Sequence, residues 1–174
     1  VDKIRYPIGQ FVANPHFSKA KRIQTIHQIA DIVNSLRDVV SRLNDDQLQV
    51  SYRPGGWSTQ QIIHHMADND MNAYLRLKRA LTEDEPIANS YREDLFAELN
   101  EYKDMPIEMS VLLLEQLHMR MITLLNSLQT EEFQRKFKTQ ALGLITIDTA
   151  LQRFVWHNQH HISQIKSLKD NKGW

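Results

Sequence analysis

Apolar residues recur at three- and four-residue intervals over most of the chain, and few stretches alternate with period two. That pattern predicts a mainly α protein. Helix-breaking residues gather at joins: Pro7 and Gly9, Pro54-Gly55-Gly56, Pro86, Pro106 and Gly173. Four long helices are predicted between them. The first runs from about Ser18 to Leu43, with Ile23, Ile26, Ile29, Ala30, Val33, Leu36 and Val40 on one side. The second starts at Ser58, where Ser-Thr-Gln-Gln has the form of a capping box, and ends near Thr82. The third runs from near Pro106, a tolerated first-turn position, to about Leu128. The fourth follows Thr146, a plausible N-cap, and reaches about Lys169.

The joins carry smaller elements. A short helix is predicted within Tyr91 to Leu99, a helical turn at Thr130 to Gln134, and a loop or small hairpin from Arg135 to Ile147. Residues 1–17 read as an extended N-terminal arm. Leu43-Asn-Asp-Asp-Gln-Leu-Gln and Leu128-Gln-Thr-Glu-Glu-Phe-Gln are alike in type, and each leads into a helix with paired histidines. Such a repeat would make the fold a pair of helical hairpins. The expected architecture is all-α: one four-helix-bundle domain over residues 1–174, with short extra helices in its loops.

The helices give the histidines directions. In the last helix a broad apolar arc holds Leu151, Phe154, Val155, Ile162, Ile165 and Leu168, with His157 and His161 at or within its edge. Those two lie one turn apart, where two imidazoles can share one metal. His160 falls roughly 60° beyond the edge, a place for an exposed or supporting residue. In the second helix, His64 and His65 lie on opposite sides of the apolar arc, and periodicity does not choose between them as a third ligand. Asp68, one turn past His65, is a candidate to orient an imidazole. Asp70 falls inside the apolar arc, which implies a buried acid with a partner or a misphased wheel. Glu115-Gln116-Leu117-His118 matches half of a di-iron motif, but such sites need two copies and two further glutamates.

Composition narrows the chemistry. There are 174 residues, eight histidines and no cysteine, so disulfides, thiolate metal sites and a cysteine nucleophile are excluded. Lys and Arg balance Asp and Glu at 21 each, which leaves no charge footprint for nucleic acid or an acidic membrane. The longest aliphatic run, Val111 to Leu114, is far short of a membrane span. The start, Val1-Asp2-Lys3-Ile4-Arg5, is too charged for a signal peptide and has no initiating Met, so a trimmed start and a cytoplasmic location are expected.

Several strings then look familiar: Tyr-Pro-Ile-Gly at Tyr6, Tyr-Arg-Pro-Gly-Gly-Trp at Tyr52, His-His-Met-Ala-Asp at His64, Leu-His-x-Arg at Leu117, Val-Trp-His-x-x-His-His at Val155, and the closing Gly-Trp. Together they resemble the DinB/YfiT-like family over nearly the whole chain, closest to its YfiT branch. The resemblance implies a four-helix bundle with one divalent metal held by His65, His157 and His161. Zinc is the expected ion, with nickel as one that purification can load. It implies a metal-dependent enzyme of small molecules: a bacillithiol-type thiol S-transferase first, a hydrolase using water second, and a non-catalytic stress-response bundle third. A small-molecule substrate, a low-molecular-weight thiol co-substrate and a homodimer are the implied partners. Arg53, Trp57 and Arg120 lie in the matched strings as pocket candidates. Asp70 stands where the YfiT branch can carry another histidine. Three imidazoles with open coordination positions suit a catalytic site, and the ligand set alone does not separate thiol from water as nucleophile.

Overall fold

The computed structural model describes residues 2–174. Its four long helices are α1 (Lys19–Val40), α3 (Thr59–Thr82), α6 (Ile107–Ser127) and α7 (Ile147–Lys172), and its short ones are α2 (Asp45–Leu48), α4 (Glu93–Phe96) and α5 (Asn100–Asp104). The caps explain the boundaries. The Ser18 side chain accepts from the Lys21 amide, and Ser58 and Gln61 form a reciprocal capping box. Thr146 caps α7, and Gly173 closes it in the left-handed region at φ 71°. The short helix expected within Tyr91 to Leu99 is α4, and α5 follows it as a further, unexpected one.

The two similar joins share a device. Asn44 with Gln47, and Gln129 with Glu132, each form a capping box around one short helical turn, and each turn buries one apolar residue, Leu48 or Phe133. The likeness does not extend to a pair of hairpins. Both α1 and α3 pack mainly against α6 and α7, so α1 faces α3, and α6 faces α7, across the bundle diagonals, while α3 and α6 are neighbours. The α1–α3 and α6–α7 connections therefore cross the ends of the bundle, which is why they carry structure of their own. After the 3₁₀ turn at Thr130–Gln134, β1 (Lys136–Thr139) pairs antiparallel with β2 (Gly143–Thr146), Phe137 facing Ile145.

The core is divided at mid-height. One apolar cluster includes Ile29, Leu77, Met121, Leu125 and Leu151, and the other includes Leu36, Ile62, Ile63, Leu114 and Ile165. Between them lies a buried polar layer of Asp70, His118 and Asn158. Ile23 and Ala30, expected inside, are exposed, while Arg22 is buried. Arg22 Nε and Nη2 donate to the Asp148 carboxylate at 2.6 and 2.7 Å, which ties the start of α1 to the start of α7. The Arg22 guanidinium also stacks on Phe133 at 4.2 Å. Among the described residues no helix is long and apolar enough to cross a membrane.

Candidate metal centre

The seam between α3 and α7 brings His65, His157 and His161 together. His65 Nε2 and His161 Nε2 each lie 3.2 Å from His157 Nε2. One ligand nitrogen from each ring falls within 4.8 Å of the others, so the three residues could hold a metal ion. The spacing fits one: nitrogens about 2.0–2.1 Å from a tetrahedral cation lie about 3.3 Å apart. His65 and His161 are buried, whereas His157 keeps part of its surface open.

The ring protons have defined places. His161 Nδ1 is 2.8 Å from Gln164 Oε1, which can only accept, so His161 carries its proton on Nδ1 and turns a lone pair on Nε2 inward. Gln164 Nε2 in turn donates to the Arg5 carbonyl at 2.8 Å and lies 3.0 Å from His160 Nε2. His157 Nδ1 is 3.2 Å from the side-chain amide of Asn69. Burial holds all three rings in the neutral form. It lowers the His65 pKa to about 4, and it lowers His157 and His161 well below the usual imidazole value, with their mutual repulsion adding to it. Neutral rings are what a divalent cation needs as ligands.

Trp57 roofs this cluster, its ring 4.6 Å from that of His65 and 6.4 Å from that of His161. The preceding loop explains why two glycines come first. Gly55 sits at φ 67°, and a Cβ on Gly56 would come within 2.7 Å of both Tyr52 and Arg53 side-chain atoms. The tight turn lets the Tyr52 amide donate to the Trp57 carbonyl at 3.1 Å and delivers Trp57 to the cluster.

The model of the DinB superfamily matches residues 28–165. The chain belongs to the DinB superfamily. It is 43% identical over 178 residues to a protein of Geobacillus thermodenitrificans named "Putative metal-dependent hydrolase", covering 100% of this chain and 98% of that one. A relative in Oceanobacillus iheyensis with the same descriptive name is 41% identical over 170 residues, with 98% of each chain covered. The solved structure of YfiT from Bacillus subtilis, described as a probable metal-dependent hydrolase with an unusual four-helix bundle topology, superposes with a TM-score of 0.96. Identity to it is 36%, and 99% of each chain is covered.

In this DinB-superfamily bundle the other singled-out residues have separate places. His64 turns away from the cluster, within 2.7 Å of Ser110 Oγ and 3.0 Å of the Met105 carbonyl. Asp68 does not orient an imidazole; it accepts from the Tyr102 hydroxyl at 2.5 Å. Of the two places expected for His160 the structure shows the supporting one: it is buried under the N-terminal arm, its ring stacks on Trp156 at 4.9 Å and lies 5.6 Å from Tyr6, and it reaches His161 through Gln164. Asp70 is a buried acid with partners, 2.6 Å from His118 Nε2 and 3.1 Å from Asn158 Nδ2. Burial raises its pKa, and the His118 contact opposes that rise. Glu115 is half-buried, whereas His118 and the apolar Leu117 beside it reach the interior. Arg120 is exposed over Tyr74, and Arg53 bonds Tyr52 and the Pro54 carbonyl in the loop, so only Trp57 of the three pocket candidates touches the cluster.

Beside the cluster, His157 and Asn69 form one wall of a cavity of about 500 Å³. Its lining combines the apolar side chains of Leu77, Met121, Phe137, Leu151 and Phe154 with the polar ones of Arg76, Tyr91 and Arg153. The volume suits a small organic molecule. Sequence reading missed this cavity and its arginines, as well as Gln164 and Asn69. The signal available for the latter two was their spacing, three residues past His161 and four past His65.

Proposed function

We propose that the chain is a metal-dependent enzyme of small molecules, with His65, His157 and His161 as the ligands of one divalent ion, zinc in the cell. The observation that carries this reading is the convergence of three neutral Nε2 atoms at the wall of a cavity large enough for a substrate. A divalent ion held there supplies Lewis acidity, which favours the anionic form of a thiol or a water. The three rings contribute no charge, so the ion would keep its full positive charge for that purpose.

The preferred activity is transfer of a low-molecular-weight thiol to an electrophilic carbon. The thiol loses its proton to solvent, a sulfur–carbon bond forms, and the bond from that carbon to its leaving group breaks. The chain has no cysteine, so the sulfur arrives with a co-substrate. Among the described residues, no carboxylate is hydrogen-bonded to the three ligand rings; Asp68 is engaged by Tyr102 and Asp70 by His118 and Asn158. A thiol needs less help from a protein base than a water does, because it starts far closer to ionisation. Hydrolysis by water is the second reading, favoured by the names of the relatives. The deciding assay gives the zinc-loaded protein a small thiol and a chromogenic aryl chloride, and separately an activated ester. Metal-dependent thiol consumption supports transfer; ester hydrolysis without thiol consumption rejects it in favour of the hydrolase.

A further inference from the structure

Several hydrogen-bond donors in the lining of the cavity have no acceptor. Arg76 Nη2 donates to the Asn89 carbonyl at 2.5 Å, but its Nε–H is buried without a partner. The Tyr91 hydroxyl is likewise buried and unpartnered. Arg153, one turn before His157 on α7, has no hydrogen bond and no carboxylate within 4.0 Å among the described residues. Burial disfavours the charge on both guanidiniums, and each sits in an environment that an anion would improve. The acidic groups nearby do not cancel them. Asp94 is held by Arg92 at 2.6 and 2.8 Å, and Glu93, the one carboxylate whose charge favours Arg153, is exposed and makes no ion pair. Two guanidiniums without ion pairs therefore face a single carboxylate, whose own charge partial burial disfavours.

Buried donors left without acceptors are costly, and such groups point to something the structure does not contain. Here they line a cavity that also presents the apolar side chains of Leu77, Phe137 and Phe154. We propose that the cavity binds an amphiphilic anion, with a carboxylate or phosphate held by Arg76, Arg153 and Tyr91 and an apolar body against Leu77, Phe137 and Phe154. This rests on the proposed function in one respect, that the cavity leads the substrate to the histidine cluster past His157. Guanidiniums suit either oxyanion, since their paired N–H groups match both geometries.

The test uses the whole protein, with and without zinc, titrated calorimetrically with four eight-carbon probes: octanoate, octyl phosphate, octanol and octylamine. In the wild type one of the two anions is expected to bind at least about tenfold more tightly than octanol, and octylamine more weakly than octanol. Which anion leads identifies the headgroup. Arg76→Met and Arg153→Met should each remove most of that advantage while octanol still binds, which separates a lost charge from a lost fold. The wild-type ranking is decisive by itself: octanol or octylamine binding as well as the anions overturns the proposal. So does an anion preference that both arginine variants retain, or one that appears only with zinc, since the oxyanion would then sit on the metal. Metal content, measured on the same samples, tests the histidine cluster independently. Zinc-free protein that prefers anions supports the cavity proposal even where the metal reading fails.

Discussion

The side-chain amide of Asn69 lies 3.2 Å from Nδ1 of His157 and also 3.3 Å from the Asp70 carboxylate. It links the histidine cluster to the polar layer that divides the core. As placed, the Asn69 Nδ2 donates to the His157 Nδ1, which leaves the His157 proton on Nε2, facing the other rings. Ligation through Nε2 requires that proton to move to Nδ1, and Asn69 then has to turn its amide oxygen to the ring. Replacing the amide with an apolar group of similar size removes the acceptor. Asn69→Leu should therefore weaken zinc affinity about 10- to 100-fold with the fold retained. Competition with a chelating dye measures it, and wild-type affinity in the variant would show that His157 needs no such partner.

Acidification should loosen the metal-free protein before it loosens most bundles. The imidazoles of His65, His157, His160 and His161 titrate lower in the folded chain than their ordinary value, chiefly through burial, with His65 and His160 at about 4. The unfolded chain thus binds more protons than the folded one below about pH 6.5, so stability falls as pH falls from there toward the folded values. Above that window their contribution is fully present. His65 alone would cost about 1 kcal/mol by about pH 5.5. A melting temperature that stays level from pH 7 to 5 in zinc-free protein would mean the rings are solvated.

Arg22 and Asp148 show 7% and 8% of their side-chain surface, so their two-pronged ion pair is largely withdrawn from water. Gln134 also donates to Asp148 at 2.8 Å, which fastens the 3₁₀ turn to the same carboxylate. Removing one partner leaves a buried charge unmatched. Asp148→Ala is expected to destabilise the protein by about 3–5 kcal/mol, read from urea denaturation. A loss under about 1 kcal/mol would indicate that Arg22 finds water or another acceptor.

The helices were legible because their signals are local. Ser18, Ser58 and Thr146 each sit at the position where the structure shows a cap. The four-residue spacing of His157 and His161 put both rings on one face. The diagonal arrangement was not legible, since helix period says which face is buried but not which neighbour buries it. The choice between an exposed and a supporting His160 stayed open for a related reason: its burial comes from an arm more than 150 residues earlier in the chain, with Gln164 bonding the Arg5 carbonyl across a separation of 159. Asp68 failed because the wheel cannot see Tyr102, which arrives on α5 and takes the carboxylate. Arg76 and Arg153 carry no local signal of their own, because the cavity they line is formed only when the hairpin and the segment around Tyr91 come together.

The central claim is that His65, His157 and His161 hold one divalent ion. Elemental analysis of protein reconstituted with zinc and desalted tests it most directly. About one zinc per chain is expected in the wild type, and less than about a tenth of that in His65→Ala, His157→Ala and His161→Ala, with His64→Ala retaining full content. Circular dichroism on the same samples confirms that the bundle is intact. Zinc retained at wild-type levels in the three ligand variants, or absent from the wild type, would contradict the account.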